Sequence, residues 1–365
     1  MKNTGAVYEA RTYGSVRGMR RKPHPTRLIS RLNPFSCLNH LFVLQFYDIN
    51  TALNSGERMK SVLLLLAVSV SLLSGCTTKK VPSNSTPYRV NNVVITEPLA
   101  IDSNTEVALA KYSHVINSVK LDKERLAQFL YDRGVIYDSL GMRFLAQMDF
   151  HRALEFKPAY ADAYNFIGIH LTLTGQYEKA FEAFDNALDI EPNHSYVRLN
   201  RGIASYYYGN NELAMEDLEQ FYVKNPTDPY RAIWLYLSEY ALDPEGARLR
   251  LLYNANQLNK EQWAYQLVEL FLGDLDEQKF IDNMAKQLKN RRELADRLCE
   301  GYFYLAKLKL LQGEEEIAKN YFRLALTTNV YEFVEHKYAR LELQRLEELA
   351  KSRFAPFKPL PKATN

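Results

Sequence analysis

The chain has 365 residues, of which 47% are hydrophobic, and its formal net charge is +3. The positive charge is concentrated at the start: residues 1–58 hold nine lysines and arginines against three acids, and the chain from Cys76 onward carries a net charge of −4. This balance excludes an electrostatic argument for nucleic-acid binding by the main body of the protein. That body, roughly 290 residues long, has room for one or two domains.

Residues 1–58 show no sustained helical or strand periodicity. Their basic composition is compatible with an arm that contacts nucleic acid or a membrane. We favour a second interpretation, in which this leader is untranslated in the cell or disordered and Met59 is the true start. The reason is the character of the segment that follows.

Residues 59–75 have the composition of an export signal. Lys60 is followed by an apolar run from Val62 to Leu73, which is too short to cross a bilayer as a helix. The small residues Ser74 and Gly75 precede Cys76, and this ending resembles the lipobox of bacterial lipoproteins. The resemblance implies a signal peptide cleaved between Gly75 and Cys76, with acyl chains such as palmitate attached to Cys76.

The stretch that follows the cysteine, residues 76–102, is polar and interrupted by proline, so we predict a flexible tether. Several acyl chains on one cysteine would anchor it firmly to a membrane. In lipoproteins of Gram-negative bacteria an aspartate directly after the cysteine favours retention at the inner membrane. The chain has Thr77 there, so the resemblance implies a protein anchored in the outer membrane with its body in the periplasm.

Next comes an N-terminal helix region, residues 103–126, with one helix expected over Asn104 to Val119 and Ser103 as its cap. A single helix in front of a repeat array must bury its apolar face on that array or on a second subunit.

Residues 127–228 contain three copies of one pattern. They end at Pro158, Pro192 and Pro226, which are 34 residues apart, the period of the tetratricopeptide repeat. Within each copy one glycine stands where two helices must approach closely, and a second ends the first helix. The sequence therefore predicts an all-α tetratricopeptide-repeat helical solenoid.

The remainder divides into three segments. Residues 229–297 are predicted to be an irregular helical insert that contains three amphipathic helices but no repeat signature. Residues 298–350 hold a fourth repeat and a C-terminal helix, and the proline-rich basic stretch 351–365 is predicted to be a disordered tail.

The sequence offers no recognisable catalytic or metal-binding motif. Histidines are scattered without ligand spacing, and no nucleophile motif or phosphate-binding loop is present. Cys299 lies in an apolar periodic stretch and is expected to be a buried, inert thiol. We predict a non-enzymatic protein with no catalytic residue, no metal and no cofactor apart from the lipid on Cys76.

In a tetratricopeptide array the inner helices line a concave groove, and fixed positions of each copy point into it. This partner-binding groove should be aromatic and apolar and should accept an extended or helical apolar segment. Each of these side chains could alternatively pack against the neighbouring copy or lie under the helix that precedes the repeats. The predicted groove residues are Tyr131 and Asp138 in the first copy, Asn165, Ile169 and Thr172 in the second, and Tyr196, Leu199, Ile203 and Tyr206 in the third.

Beyond the lipobox, four segments resemble the NlpI family of outer-membrane lipoproteins: LYDRGVIYDSLG, LNRGIA, NPTDPYRAIWLYLSE and NVYEFVEHKYARLEL. The likeness extends from about Ser103 to Leu343. It implies a homodimeric adaptor of the cell envelope that binds murein endopeptidases such as MepS. The adaptor presents them to the periplasmic carboxy-terminal processing protease Prc, and so regulates peptidoglycan remodelling.

Another role remains open for the same anchor and array. A tetratricopeptide lipoprotein could instead act in outer-membrane barrel assembly or in the biogenesis of a pilus secretin. Direct binding to the glycan wall is a third interpretation, which the negative charge of the body weakly disfavours.

Overall fold

The computed structural model describes residues 87–353, which are 72% helical. This part of the chain contains a two-stranded antiparallel hairpin, β1 (Tyr88–Val90) and β2 (Val93–Ile95), followed by fourteen helices. The helices are α1 (Ser103–Ser118), α2 (Lys123–Ser139), α3 (Arg143–Phe156), α4 (Ala161–Thr172), α5 (Tyr177–Ile190), α6 (Ser195–Tyr208), α7 (Asn211–Val223), α8 (Pro229–Tyr240), α9 (Pro244–Ala255), α10 (Tyr265–Leu272), α11 (Glu277–Met284), α12 (Arg291–Leu311), α13 (Glu315–Leu326) and α14 (Val334–Arg353).

The predicted fold class is confirmed. Helix pairs α2–α3, α4–α5, α6–α7 and α12–α13 are the four repeats. A Cβ at Gly168 would stand 2.5 Å from the ring of Phe184, so only glycine permits this approach of the two helices. Gly175, with φ of +71°, ends the first helix of the same pair in the left-handed conformation.

The insert contains the three helices expected from its periodicity, which are α8, α9 and α10. Pro229 and Pro244 begin α8 and α9, where their missing N–H groups have no partner within a helix in any case. The insert also contains α11, which the sequence analysis did not identify. Its eight residues span about two turns, which is too short for a periodic pattern to stand out.

The hairpin departs from the prediction of a flexible tether over 76–102. Val94 is completely buried, and both of its backbone polar groups bond to the hydroxyl of Tyr302. Arg89 forms an ion pair with Asp282 on α11. The polar composition of this segment did not indicate that Val94 would be buried and hydrogen-bonded to the repeat array.

Helix α1 forms as expected, but its cap differs. The Asp102 carboxylate accepts from the Asn104 N–H, so Asp102 and not Ser103 caps the helix. None of the α1 residues is buried. The helix is held to α2 by the Tyr112 ring, which lies 5.5 Å from Phe129, and by a hydrogen bond from the Tyr112 hydroxyl to Asp132.

Helix α14 ends at Arg353, so the first three residues of the predicted tail are helical. The rest of that tail, the leader 1–58, the signal peptide with Gly75, and the acylation site Cys76 lie outside the described residues. Their predictions therefore stay predictions.

Candidate partner-binding site

The predicted groove residues lie on α2, α4 and α6, the inner helices of the first three repeats. Tyr131 on α2 is buried within an aromatic cluster, and its ring lies 4.8 Å from Tyr160 and 6.0 Å from Phe166. Because these rings belong to the next repeat, Tyr131 joins two copies of the array. It is not open to solvent.

Asp138, at the end of α2, is the centre of a buried ionic contact. It pairs with His170 of α4 at 2.8 Å and with Lys337 of α14 at 3.1 Å. Burial alone would raise the pKa of the Asp138 carboxyl, but the charges and hydrogen bonds of Lys337 and His170 outweigh it and lower that pKa to about 2. The carboxylate is therefore fully occupied by residues of its own chain.

The three predicted residues of α4 are completely buried. Asn165 accepts a hydrogen bond from the amide of Asn200 on α6 at 2.9 Å. Thr172 donates to the carbonyl of Gly168 one turn earlier. Ile169 belongs to the hydrophobic core. Asn165 therefore links two adjacent inner helices, and none of the three side chains is open to a partner.

On α6, Ile203 is completely buried, whereas Leu199 and Tyr196 border a small cavity of about 30 Å³. Its opposite wall includes Tyr304 of α12 and Glu335 of α14. The cavity is too small to hold a large side chain of a bound peptide. The far wall shows that later helices have closed over this part of the concave surface.

Tyr206 lies at the contact between α6 and the C-terminal half of the chain. Its hydroxyl accepts from the Lys307 ammonium at 2.8 Å, and Lys307 pairs with Glu342 at 2.5 Å. The adjacent Tyr207 stacks on Tyr338 of α14, with ring centres 5.0 Å apart and planes at 7°. Burial alone would lower the pKa of Lys307, but Glu342 and Tyr206 reverse this and raise it.

The nine predicted groove residues lie on the inner helices of the first three repeats, and α12 or α14 lies against Asp138, Tyr196, Leu199 and Tyr206. Most of them face a neighbouring repeat or the chain's own C-terminal helix. Their role in binding a partner stays a prediction. Sequence periodicity identified the apolar face of each inner helix but not the helix that covers it, which joins the chain far downstream.

Open surface remains where the α2–α3 turn meets α14. A cleft of about 480 Å³ lies between them, with Arg143 on one side and Arg340 on the other. Beside it α3 exposes Phe144, which is 77% accessible, and Met148, which is 61% accessible. This cleft was not predicted from the sequence. The available signal was a pair of large apolar residues on α3 outside the repeat's core positions.

A second exposed apolar face lies on α9 in the insert, where Leu249, Leu252 and Tyr253 are accessible.

Cys299 is buried as expected, and burial raises the pKa of its thiol well above the ordinary value. Over residues 87–353 no group of three or more histidine, cysteine or acidic side chains is arranged to hold a metal ion. Within the same range, no helix has the length and apolarity that a bilayer span requires.

A family model supports the repeat assignment. The tetratricopeptide-repeat family model matches residues 161–194, which contain α4 and α5. Three similar structures are PilF of Pseudomonas aeruginosa (16% identity, TM-score 0.37, covering 62% of this chain and 99% of that one), a tetratricopeptide repeat protein of Parabacteroides merdae (16%, 0.41, 68% and 100%) and PilW, a type IV pilus biogenesis factor (19%, 0.34, 62% and 94%). The chain described here is a tetratricopeptide solenoid, the architecture of protein-interaction scaffolds.

Proposed function

We propose that this protein is a lipid-anchored, non-enzymatic adaptor of the NlpI type in the cell envelope. It binds murein endopeptidases and presents them to a periplasmic carboxy-terminal processing protease, and it thereby regulates peptidoglycan remodelling. The observation that carries the proposal is the array of four helix pairs, which is an architecture for binding other proteins. The resemblance of the lipobox and the four quoted segments supplies the choice of partners.

The proposed anchor is Cys76, acylated after cleavage behind Gly75, and the proposed location is the periplasmic side of the outer membrane. Cells that express the chain should incorporate labelled palmitate into it. Cys76→Ala should abolish the labelling and shift the protein from the membrane to the soluble fraction, whereas Cys299→Ala should change neither. Labelling that persists in Cys76→Ala would contradict the anchor.

The adaptor role requires two kinds of partner. The mature chain, purified in mild detergent and immobilised on beads, should retain the processing protease together with at least one murein endopeptidase from an envelope extract. In a purified mixture it should accelerate degradation of that endopeptidase by the protease. A chain heated until it unfolds and then immobilised is the control for non-specific capture.

Other results would overturn this assignment. Retention of barrel-assembly or secretin subunits, with neither protease nor endopeptidase, would favour the other lipoprotein role considered above. If the chain bound the protease and the endopeptidase separately but never both at once, it would not accelerate degradation of the endopeptidase, and the adaptor role would be wrong. Light scattering on the mature chain tests the homodimer that the resemblance implies.

A further inference from the structure

The cleft between the α2–α3 turn and α14 has an unbalanced charge. Arg143 and Arg340 both line it, as does Lys337. The one carboxylate on its wall, Asp138, is already engaged by Lys337 and His170. The cleft therefore presents positive charge that its own acidic residue does not neutralise.

Within residues 87–353, neither Arg143 nor Arg340 makes an ion pair or a side-chain hydrogen bond. Burial lowers the pKa of Arg143, and the charge of Arg340 lowers it further, while the charge of Asp138 offsets only part of this shift. Arg143 is the first residue of α3, where a positive charge is unfavourable to the helix dipole. Both effects oppose the folded state, and a bound anion would relieve them.

The rim of the cleft is apolar. Phe144 and Leu145 line it from α3, Leu173 lines it just after the end of α4, and Leu341 lines it from α14. Phe144 is 77% accessible and Leu145 is 43% accessible, so large apolar side chains meet water directly beside the two arginines. A patch of this kind on a soluble domain is typical of a protein-interaction site.

We propose that this cleft docks a partner polypeptide through a segment that carries a carboxylate next to apolar side chains. The guanidinium groups of Arg143 and Arg340 bind the carboxylate, since arginine matches its planar geometry. Phe144 and Leu145 cover the adjacent apolar side chains. A volume of about 480 Å³ is within the range of pockets that hold small ligands, so the cleft accepts a few residues and not a whole helix.

This docking site rests on the proposed scaffold function only because its partner is taken to be a polypeptide. Of the nine predicted groove residues, the cleft includes Asp138 alone. Charge complementarity selects this occupant. An acidic and apolar segment satisfies both features of the cleft, whereas a purely apolar helix would leave both arginines buried without a counter-charge.

The test uses the full mature chain and a fluorescein-labelled peptide, Gly-Ser-Ala-Glu-Leu-Phe, followed by fluorescence anisotropy. We expect saturable binding that weakens as salt is raised. Arg143→Glu and Arg340→Glu should each weaken binding at least tenfold. Arg152→Glu is the matched control, because it reverses an exposed arginine on α3 away from the cleft and should leave binding unchanged.

Two further peptides identify the carboxylate. One carries a C-terminal amide, and the other carries the amide together with glutamine in place of glutamate. Loss of binding with the first assigns the terminal carboxylate, and loss only with the second assigns the side chain; either result supports the proposal. No saturable binding by any peptide, or equal loss with Arg152→Glu, overturns it. The proposal is also wrong if the chain binds anionic phosphatidylglycerol vesicles but none of the peptides.

Failure here is distinguishable from failure of the proposed function. If beads bearing Arg143→Glu/Arg340→Glu retain the protease and endopeptidase as fully as the unaltered chain, the cleft is not their docking site while the adaptor role stands. Circular dichroism of each variant shows that it is folded before its binding is compared.

Discussion

At the scale of single residues, the repeats differ in how their two helices are joined. Arg201 forms two hydrogen bonds to Asp217 at 2.7 and 2.9 Å, and Asp217 is completely buried. The first repeat has the same pair, Arg133 and Asp149. The second repeat has Ile167 and Ala183 at the equivalent positions and does without a charge. The repeat therefore accepts either an ion pair or an apolar contact here, but not half of a pair.

This difference leads to a stability prediction. Arg201→Ile alone leaves Asp217 buried with only the weaker contact to Arg198, and should lower the free energy of unfolding by about 3 kcal/mol. Arg201→Ile/Asp217→Ala, which copies the second repeat, should recover much of that loss. Urea denaturation measures both. As a control, Arg125→Ile disrupts an exposed pair and should change the free energy by less than about 1 kcal/mol. A double variant no better than the single one would contradict the argument.

The buried carboxylate of Asp138 predicts a dependence on acid. Its pKa is about 2 in the folded chain against an ordinary value of 3.8, so folding favours the deprotonated form. The stability that it contributes is complete above about pH 4 and is lost as the pH falls from about 4 to about 2. Asp138→Asn should lack this contribution. The difference in unfolding free energy between the two proteins should therefore shrink over that interval, and a constant difference would contradict the assignment.

At the scale of elements, the hydroxyl of Tyr302 binds both backbone polar groups of Val94 in the hairpin. Tyr302 of α12 accepts from the Val94 N–H at 2.9 Å and donates to the Val94 carbonyl at 2.6 Å. Tyr302→Phe keeps the ring but removes both bonds, each of which contributes about 0.5–1.5 kcal/mol. We expect faster hydrogen exchange at the Val94 amide. Tyr321→Phe is the control, because its hydroxyl bonds to Glu277 and not to the hairpin. Unchanged exchange in Tyr302→Phe would show that burial of Val94 and the Arg89–Asp282 ion pair hold the hairpin without this hydroxyl.

Besides its ion pairs, helix α14 packs on the array through a buried aromatic ring. Tyr338 is completely buried and stacks on Tyr207, yet its hydroxyl has no hydrogen-bond partner among the described residues. Tyr338→Phe should therefore leave stability unchanged or raise it by up to about 1–3 kcal/mol. Tyr338→Ala should lower it by roughly 3–5 kcal/mol because a ring-sized cavity results. Thermal unfolding distinguishes the two, and a destabilised Tyr338→Phe would reveal a partner for the hydroxyl.

These elements show what the sequence could predict. Gly168 and its equivalents predict the close approach of two helices, because the need for a residue without a side chain is local and recurs every 34 residues. The coverage of Tyr206 and Tyr207 has no such signal. The Tyr207 hydroxyl bonds to Glu342, 135 residues later, and a periodic pattern states which face of a helix is apolar but not what buries it. For the same reason the exposed apolar residues of α3 mark one side of the cleft beside Arg143, but no sequence pattern shows that α14 forms its second wall.

At the scale of the whole molecule, α14 changes how the array should unfold. In an open solenoid each repeat contacts only its neighbours, so the terminal repeats open first. Here α14 contacts the first repeat through Lys337 and Asp138, the third through Tyr338 and Tyr207, and the fourth through Glu342 and Lys307. The first repeat is therefore tied to the last by contacts that skip the repeats between them.

We accordingly expect the inner helices of the first and third repeats, α2 and α6, to exchange their amide hydrogens with similar protection. Lys337→Met cuts the connection of α14 to Asp138 and should speed exchange in α2 while α6 stays protected. Lys351→Met is the control, since it removes an exposed charge near the end of the same helix. If α2 already exchanges much faster than α6 in the unaltered chain, α14 does not couple the ends and the array behaves as an open solenoid. If Lys337→Met speeds both helices equally, the coupling runs through the whole core and not through this one contact.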